Sequence, residues 1–346
     1  LTFRASDGID QASTASTFTL SFGPDWATDT VTETKLKASD PELSDQFGQF
    51  VAISGDGNYA IVGAPQEDAG GTAAGAAYIY VRSGNSWSQQ QKILSSNIGA
   101  SDEFGCSVSM NSDGTYAIVG AWDEDSTANR AGSAYIFTRS GTTWTQQAQI
   151  QASPAAANDY FGISVQITPD ANYAIVGAYF SSGTNGAAYV FSRSGTSWSQ
   201  QAKLVASDAA AADYFGWHAA ISSDGSYAIV GAYGQEDTGG SNDNYGASYI
   251  YVRSGTSWSQ QAKIQPSDPT LSDNFGWRVA MNSDGTYAAV TSYSAPVGAV
   301  TQAGAVYVFS RSGTSWSQEA KLVASDAASY DYFGKGLAIN LSGDLI

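Results

Sequence analysis

The dipeptide Phe-Gly returns six times, starting at Phe47, Phe104, Phe161, Phe215, Phe275 and Phe333, with 54 to 60 residues between successive copies. Recurrence at such a period marks a chain made of one supersecondary unit stacked on copies of itself. An Asp stands two residues ahead of each Phe, at Asp45, Asp102, Asp159, Asp213, Asp273 and Asp331. An apolar stretch follows, then a turn on Asp56-Gly57, Asp113-Gly114, Asp224-Gly225 or Asp284-Gly285, with Pro169-Asp170 in the third unit. Gly tolerates positive φ and Asp bonds back to local amides, so these are turns with a mechanism. Next come Tyr-Ala-Ile-Val-Gly-Ala, a variable loop, a Tyr/Ile/Val run, Arg-Ser-Gly and a Trp-x-Gln-Gln stretch such as Trp198 to Gln201.

Four short runs per unit, separated by turn signals, predict four antiparallel strands. The second and third runs are apolar on both faces and need cover on both sides. The fourth alternates Trp198, Gln200, Ala202 and Leu204 with Ser199, Gln201 and Lys203, so one face can be wet. Sheets with buried inner strands and a wetter outer strand stack radially. The expected fold class is all-β: a β-propeller of four-stranded antiparallel blades.

Five units are complete and a sixth begins at Phe333. Upstream of the first, Glu33 to Asp40 matches the end of a unit, and Thr17 to Phe22 alternates as a strand should. These N-terminal strands are expected to pair with strands after Phe333, closing a sixth blade and removing an open sheet edge. Six blades are favoured, or seven if the chain continues. The start at Leu1 and the stop inside a repeat suggest a piece of a longer product. Residues 1–30 are read as a strand-forming extension and residues 31–346 as the propeller.

The pattern Phe47-Gly48 … Gly63-Ala64-Pro65 resembles the FG-GAP repeat, which builds the propeller of integrin α subunits and many microbial and algal surface proteins. Later units carry Trp122, Tyr179 and Tyr233 at the Pro position, and the fifth reads Val290-Thr291-Ser292. The resemblance implies a propeller in an extracellular or cell-surface setting. It also raises calcium as a cofactor, because integrin-type blades often hold it in Asp-x-Asp-x-Asp-Gly loops. That loop does not occur here. The nearest metal candidates are Asp123 and Asp125, then Asp237 and Asp243, against the plainer reading of solvated acidic loops.

Charge narrows the partners. The chain holds 15 Lys+Arg against 32 Asp+Glu, net −17, which argues against nucleic acid. One Cys, Cys106, excludes an internal disulfide, and one His, His218, excludes any mechanism or metal site needing two. No apolar run approaches the length of a membrane-spanning helix.

The recurring Asp column is read as loop capping rather than a ligand ring, because a structural repeat needs the same turn each time. The Arg and Lys columns (Arg82, Arg139, Arg193, Arg253, Arg311; Lys35, Lys92, Lys203, Lys263, Lys321) and the Trp column (Trp87, Trp144, Trp198, Trp258, Trp316) are read as structural. Features that break the repeat are better ligand candidates: Trp122, and Trp217 and Trp277 directly after Phe-Gly. His218 and Cys106 are expected to be packed residues. Asn340-Leu341-Ser342 is an N-glycosylation sequon close to an expected inner strand.

The leading functional expectation is an extracellular structural or adhesive propeller, not an enzyme, whose partners are other surface proteins, glycans or copies of itself. Residues 1–30 would mediate contacts between copies in a surface fibre or layer. A lectin-like module using the irregular aromatics is the second expectation. A propeller hydrolase or lyase is the third, since an acidic chain always offers paired carboxylates.

Overall fold

The computed structural model describes residues 34–236 and 244–340 and the strands Phe3–Arg4 and Phe18–Leu20. Five four-stranded antiparallel sheets follow one another along the chain. The third is representative: Phe161–Ile167, Tyr173–Ala178, Ala187–Ser194 and Ser197–Leu204, each strand paired with the next. The burial order follows the sequence pattern. The Tyr-Ala-Ile-Val-Gly-Ala strand is buried on both faces beyond its Tyr, whereas the fourth strand is largely half-exposed.

The hydrophobic core lies between sheets rather than inside any one. One cluster joins Ile118 and Ile136 of the second blade to Phe161, Val176 and Tyr189 of the third. Each motif Phe plugs the layer it opens: Phe161 meets Tyr189 edge-on at 5.6 Å and Phe191 at 5.9 Å. Phe104, Phe161, Phe215 and Phe275 are fully buried. Close blade contact requires glycine at one column. A Cβ at Gly63, Gly120, Gly177 or Gly231 would fall on the carbonyl oxygen of the next motif glycine, Gly105, Gly162, Gly216 or Gly276 respectively.

Polar stitches repeat across the same interfaces. Trp144, Trp198, Trp258 and Trp316 donate their indole N–H to Gln90, Gln147, Gln201 and Gln261 of the preceding outer strand. Arg139, Arg193, Arg253 and Arg311 lie 4.1–4.8 Å over Tyr59, Tyr116, Tyr173 and Tyr227 of the preceding blade.

The sixth position is built differently from the expected closure. Phe18–Leu20 pairs with Thr34–Leu36, but the strand completing that sheet is Phe3–Arg4, giving three strands. Phe333 to Asn340 carries no strand. The fifth blade supplies a physical reason. Thr291 occupies the column held by glycine in the other blades, so its side chain meets Gly334, with 3.1 Å between Thr291 Cγ2 and a Cβ built at that glycine. Phe333 is correspondingly 37% exposed, unlike its five buried counterparts.

Candidate functional site

Strand direction alternates within each blade. The loops from second to third strand and the connections between blades therefore emerge on one face, and the tight turns on the other. The turn face carries Asp56, Asp113, Asp170, Asp224 and Asp284 together with the five Arg of the repeating column, and Arg139, Arg193, Arg253 and Arg311 donate to the main-chain carbonyls of Asp113, Asp170, Asp224 and Asp284. The acidic surplus of the described blades falls on the loop face.

On that face the Asp column holds the connections in shape. Asp45, Asp102, Asp159, Asp213, Asp273 and Asp331 each accept an amide N–H from three residues earlier, at 2.6–2.9 Å. Burial raises the pKa of Asp45, Asp102, Asp159, Asp213 and Asp273, with Asp102 pushed up to about 6 by burial and the neighbouring carboxylates Glu124, Asp125 and Asp123. These carboxyls are committed to backbone.

Three unrelated sequence positions converge above this layer: the residue after Gly-Ala, the residue before Phe, and the residue after Phe-Gly. Trp122 packs on Tyr160 at 4.9 Å, and Tyr160 stacks on Tyr179 at 5.4 Å. Tyr179 meets Trp217 at 5.0 Å, Trp217 meets Trp277 at 4.7 Å, and Trp277 meets Tyr293 at 4.3 Å. Tyr293 continues to Tyr332 at 5.4 Å. Tyr214 and Tyr233 stack at 5.1 Å behind the two Trp. The result is an unbroken aromatic crescent from the second blade to Tyr332, each ring partly exposed. Trp122, Trp217 and Trp277 are thus brought into one surface. The sequence signal for Tyr179, Tyr233 and Tyr293 was their place at the Pro position of the motif, and for Tyr160, Tyr214 and Tyr332 their place just before the motif Phe; both become informative once those loops are known to share a face.

Trp217 and Trp277 sit where the register slips. Phe215 pairs with Ala232 and Ala219 with Val230, so four steps on the inner strand face two on its neighbour. The same slip separates Phe275 and Val279. Such bulges re-aim side chains.

The next residue in each inner strand stitches to the following blade. Ser107 Oγ donates to Gly162 O at 2.6 Å, and Ser164 Oγ accepts from Ala219 N at 3.0 Å. His218 Nδ1 accepts from Val279 N at 3.3 Å, and Arg278 Nε donates to Lys335 O at 3.4 Å. Burial, then the Arg278 charge beside it, holds the His218 pKa well below its ordinary range, so the imidazole is neutral and able to accept.

Among the metal candidates, Asp123 Oδ1 lies 3.0 Å from Arg130 Nε and Asp125 is exposed. Asp237 and Asp243 lie outside the described residues. Among the described residues no three carboxylate, His or Cys side chains converge as a metal set. Cys106 is buried, with its thiol pKa pushed up by burial. Asn340 is partly buried, and the rest of its sequon lies outside the described residues. No described helix is long and apolar enough to cross a membrane.

The radial succession of four-stranded sheets defines a β-propeller. Solved propellers agree with that fold. Kuenenia stuttgartiensis hydrazine synthase matches with TM-score 0.54 and 16% identity over 89% of this chain and 75% of that one. The Cps50 (Swd1) β-propeller domain of Myceliophteria thermophila matches with TM-score 0.54 and 9% identity over 85% and 77%. A search of curated protein sequences found no match. The FG-GAP repeat model matches residues 30–80, 87–137, 144–191, 198–251, 258–309 and 316–346, and the chain belongs to the FG-GAP repeat family.

Proposed function

We propose that this protein is a non-catalytic adhesive propeller of the cell surface or extracellular space, and that the aromatic crescent of the loop face is its contact surface. The observation carrying this reading is the crescent itself. The repeat requires neither its tyrosines nor its tryptophans, yet they form one continuous strip. Partly exposed Tyr and Trp combine large contact area with low side-chain entropy, which is why they dominate binding hot spots. A binding rather than catalytic role is supported by what the ionisable groups do: the Asp column holds backbone amides, and His218 accepts from Val279. FG-GAP repeats are typical of extracellular and surface proteins, which supports the location.

A second reading is carbohydrate recognition, favoured by the Trp217–Trp277 pair, whose faces suit sugar C–H groups. The test is retention of the protein on surfaces coated with extracellular protein or polysaccharide fractions. A Tyr179→Ser, Tyr233→Ser, Tyr293→Ser variant should lose retention at least about tenfold, as expected when hot-spot contacts are removed. A turn-face variant, Arg193→Gln, should keep it. Equal retention by both variants would refute the assignment.

A further inference from the structure

Beside the crescent, the inner strand of the fifth blade presents a charge with no carboxylate partner among the described residues. Arg278 projects from the bulge after Trp277, with its guanidinium 5.8 Å from the Phe50 ring of the first blade. Its Nε donates to Lys335 O, its main-chain N–H donates to Thr291 Oγ1 at 2.9 Å, and no other described group accepts from it. Burial lowers its pKa to about 10. Four other loop-face cations hold carboxylates: Lys92 with Asp40 and Glu67, Lys263 with Asp208, Lys321 with Asp268, and Arg130 with Asp123, while Lys203 reaches the hydroxyls of Ser181 and Ser182. In a chain of net charge −17, neither Arg278 nor the adjacent exposed Lys335 holds a carboxylate among the described residues.

We propose that Arg278, with Lys335 and the Trp217–Trp277 pair, forms a binding site for the carboxylate of a uronic-acid residue within an otherwise neutral glycan. The proposal rests on the loop face being the contact surface. Three observations carry it. Among the described residues the guanidinium donates only through Nε, and it stands in a partly desolvated place, where an anion is stabilised more than in water. A pair of indole rings lies one residue away in each bulge, suited to the apolar face of a sugar ring. The combination is confined to the fourth and fifth blades: the residues following Phe-Gly are Cys106-Ser107 and Ile163-Ser164 in the second and third, but Trp217-His218 and Trp277-Arg278 here. The acidic surplus around the site selects further. It repels densely charged polyanions over a Debye length, while a single carboxylate in a neutral chain meets the local Arg–Lys pair.

The test uses the full chain with a galactose trisaccharide carrying a single galacturonic acid, its methyl ester and neutral galactotriose, read by tryptophan fluorescence and calorimetry. The acid should bind about tenfold tighter than the ester, equivalent to one charge-assisted contact of ~1.4 kcal/mol. Arg278→Gln keeps a donor for Lys335 O and should bring acid and ester to within about twofold. If that variant does not fold, the acid-to-ester ratio of the unaltered chain and of Arg278→Lys still decides. Equal binding of acid and ester, or an acid preference untouched in Arg278→Gln, overturns the proposal. So does Arg278-dependent binding of a Glu-bearing peptide with no saccharide binding, which would leave the contact-surface reading standing. If the crescent variant also keeps full surface retention, that earlier reading falls as well.

Discussion

The motif Phe has six copies in one chain, and they should not be energetically equal. Phe161 is fully buried between the second and third sheets, clamped by Tyr189 and Phe191. Phe161→Ala removes the ring and leaves a cavity that the surrounding strands cannot collapse, costing about 3–5 kcal/mol. Phe333 carries the same motif but is 37% exposed, beside Thr291 where the other blades have glycine. There the lost transfer energy scales with the buried fraction and no sealed cavity forms, so Phe333→Ala should cost roughly 1–2 kcal/mol. Urea unfolding followed by circular dichroism measures both, with unchanged m-values as the check that the transition stays comparable. A Phe333→Ala cost equal to that of Phe161→Ala would refute the argument that Thr291 loosens the last interface. A cost below about 1 kcal/mol for Phe161→Ala would refute the packing role of the motif itself.

Other consequences are equally open to measurement. Asp213→Ala removes the acceptor for Ala210 N–H and should cost about 1 kcal/mol, while Asp213→Asn should recover most of it in the same denaturation assay. Gly177→Ala places a methyl on the Gly216 carbonyl oxygen and should lower the melting temperature far more than Gly195→Ala, where a Cβ meets nothing and only positive-φ strain is added. The His218 pKa is depressed in the folded state, so its contribution to stability is complete above 6.5 and is lost as pH falls below that value. His218→Gln should flatten this part of the stability profile. Asp102 acts in the opposite sense. Its folded pKa of about 6 exceeds the reference 3.8, so the chain gains stability as pH falls from 6 towards 3.8, and Asp102→Asn should abolish that gain.

The repeat alone determined that this chain is an all-β propeller of four-stranded blades. Its signals are local: Asp-Gly turns, doubly apolar inner strands and alternation in the outer strand all lie within one unit and need no distant partner to be read. Tertiary structure decided what the irregular residues do. Trp122, Tyr160, Tyr179, Trp217 and Trp277 come from four blades and three sequence positions, and become neighbours only because strand alternation sends two classes of loop to one face. His218 looks solitary in sequence, and its role depends on the amide of Val279, 61 residues away across a blade interface. Arg278 meets Phe50 only because the inner strands of the first and fifth blades converge on one channel. The N-terminal strands illustrate the same limit. Their alternation was legible, but their third partner, Phe3–Arg4, was not, since a two-residue strand is too short to carry a periodic signal and its pairing is set by tertiary context.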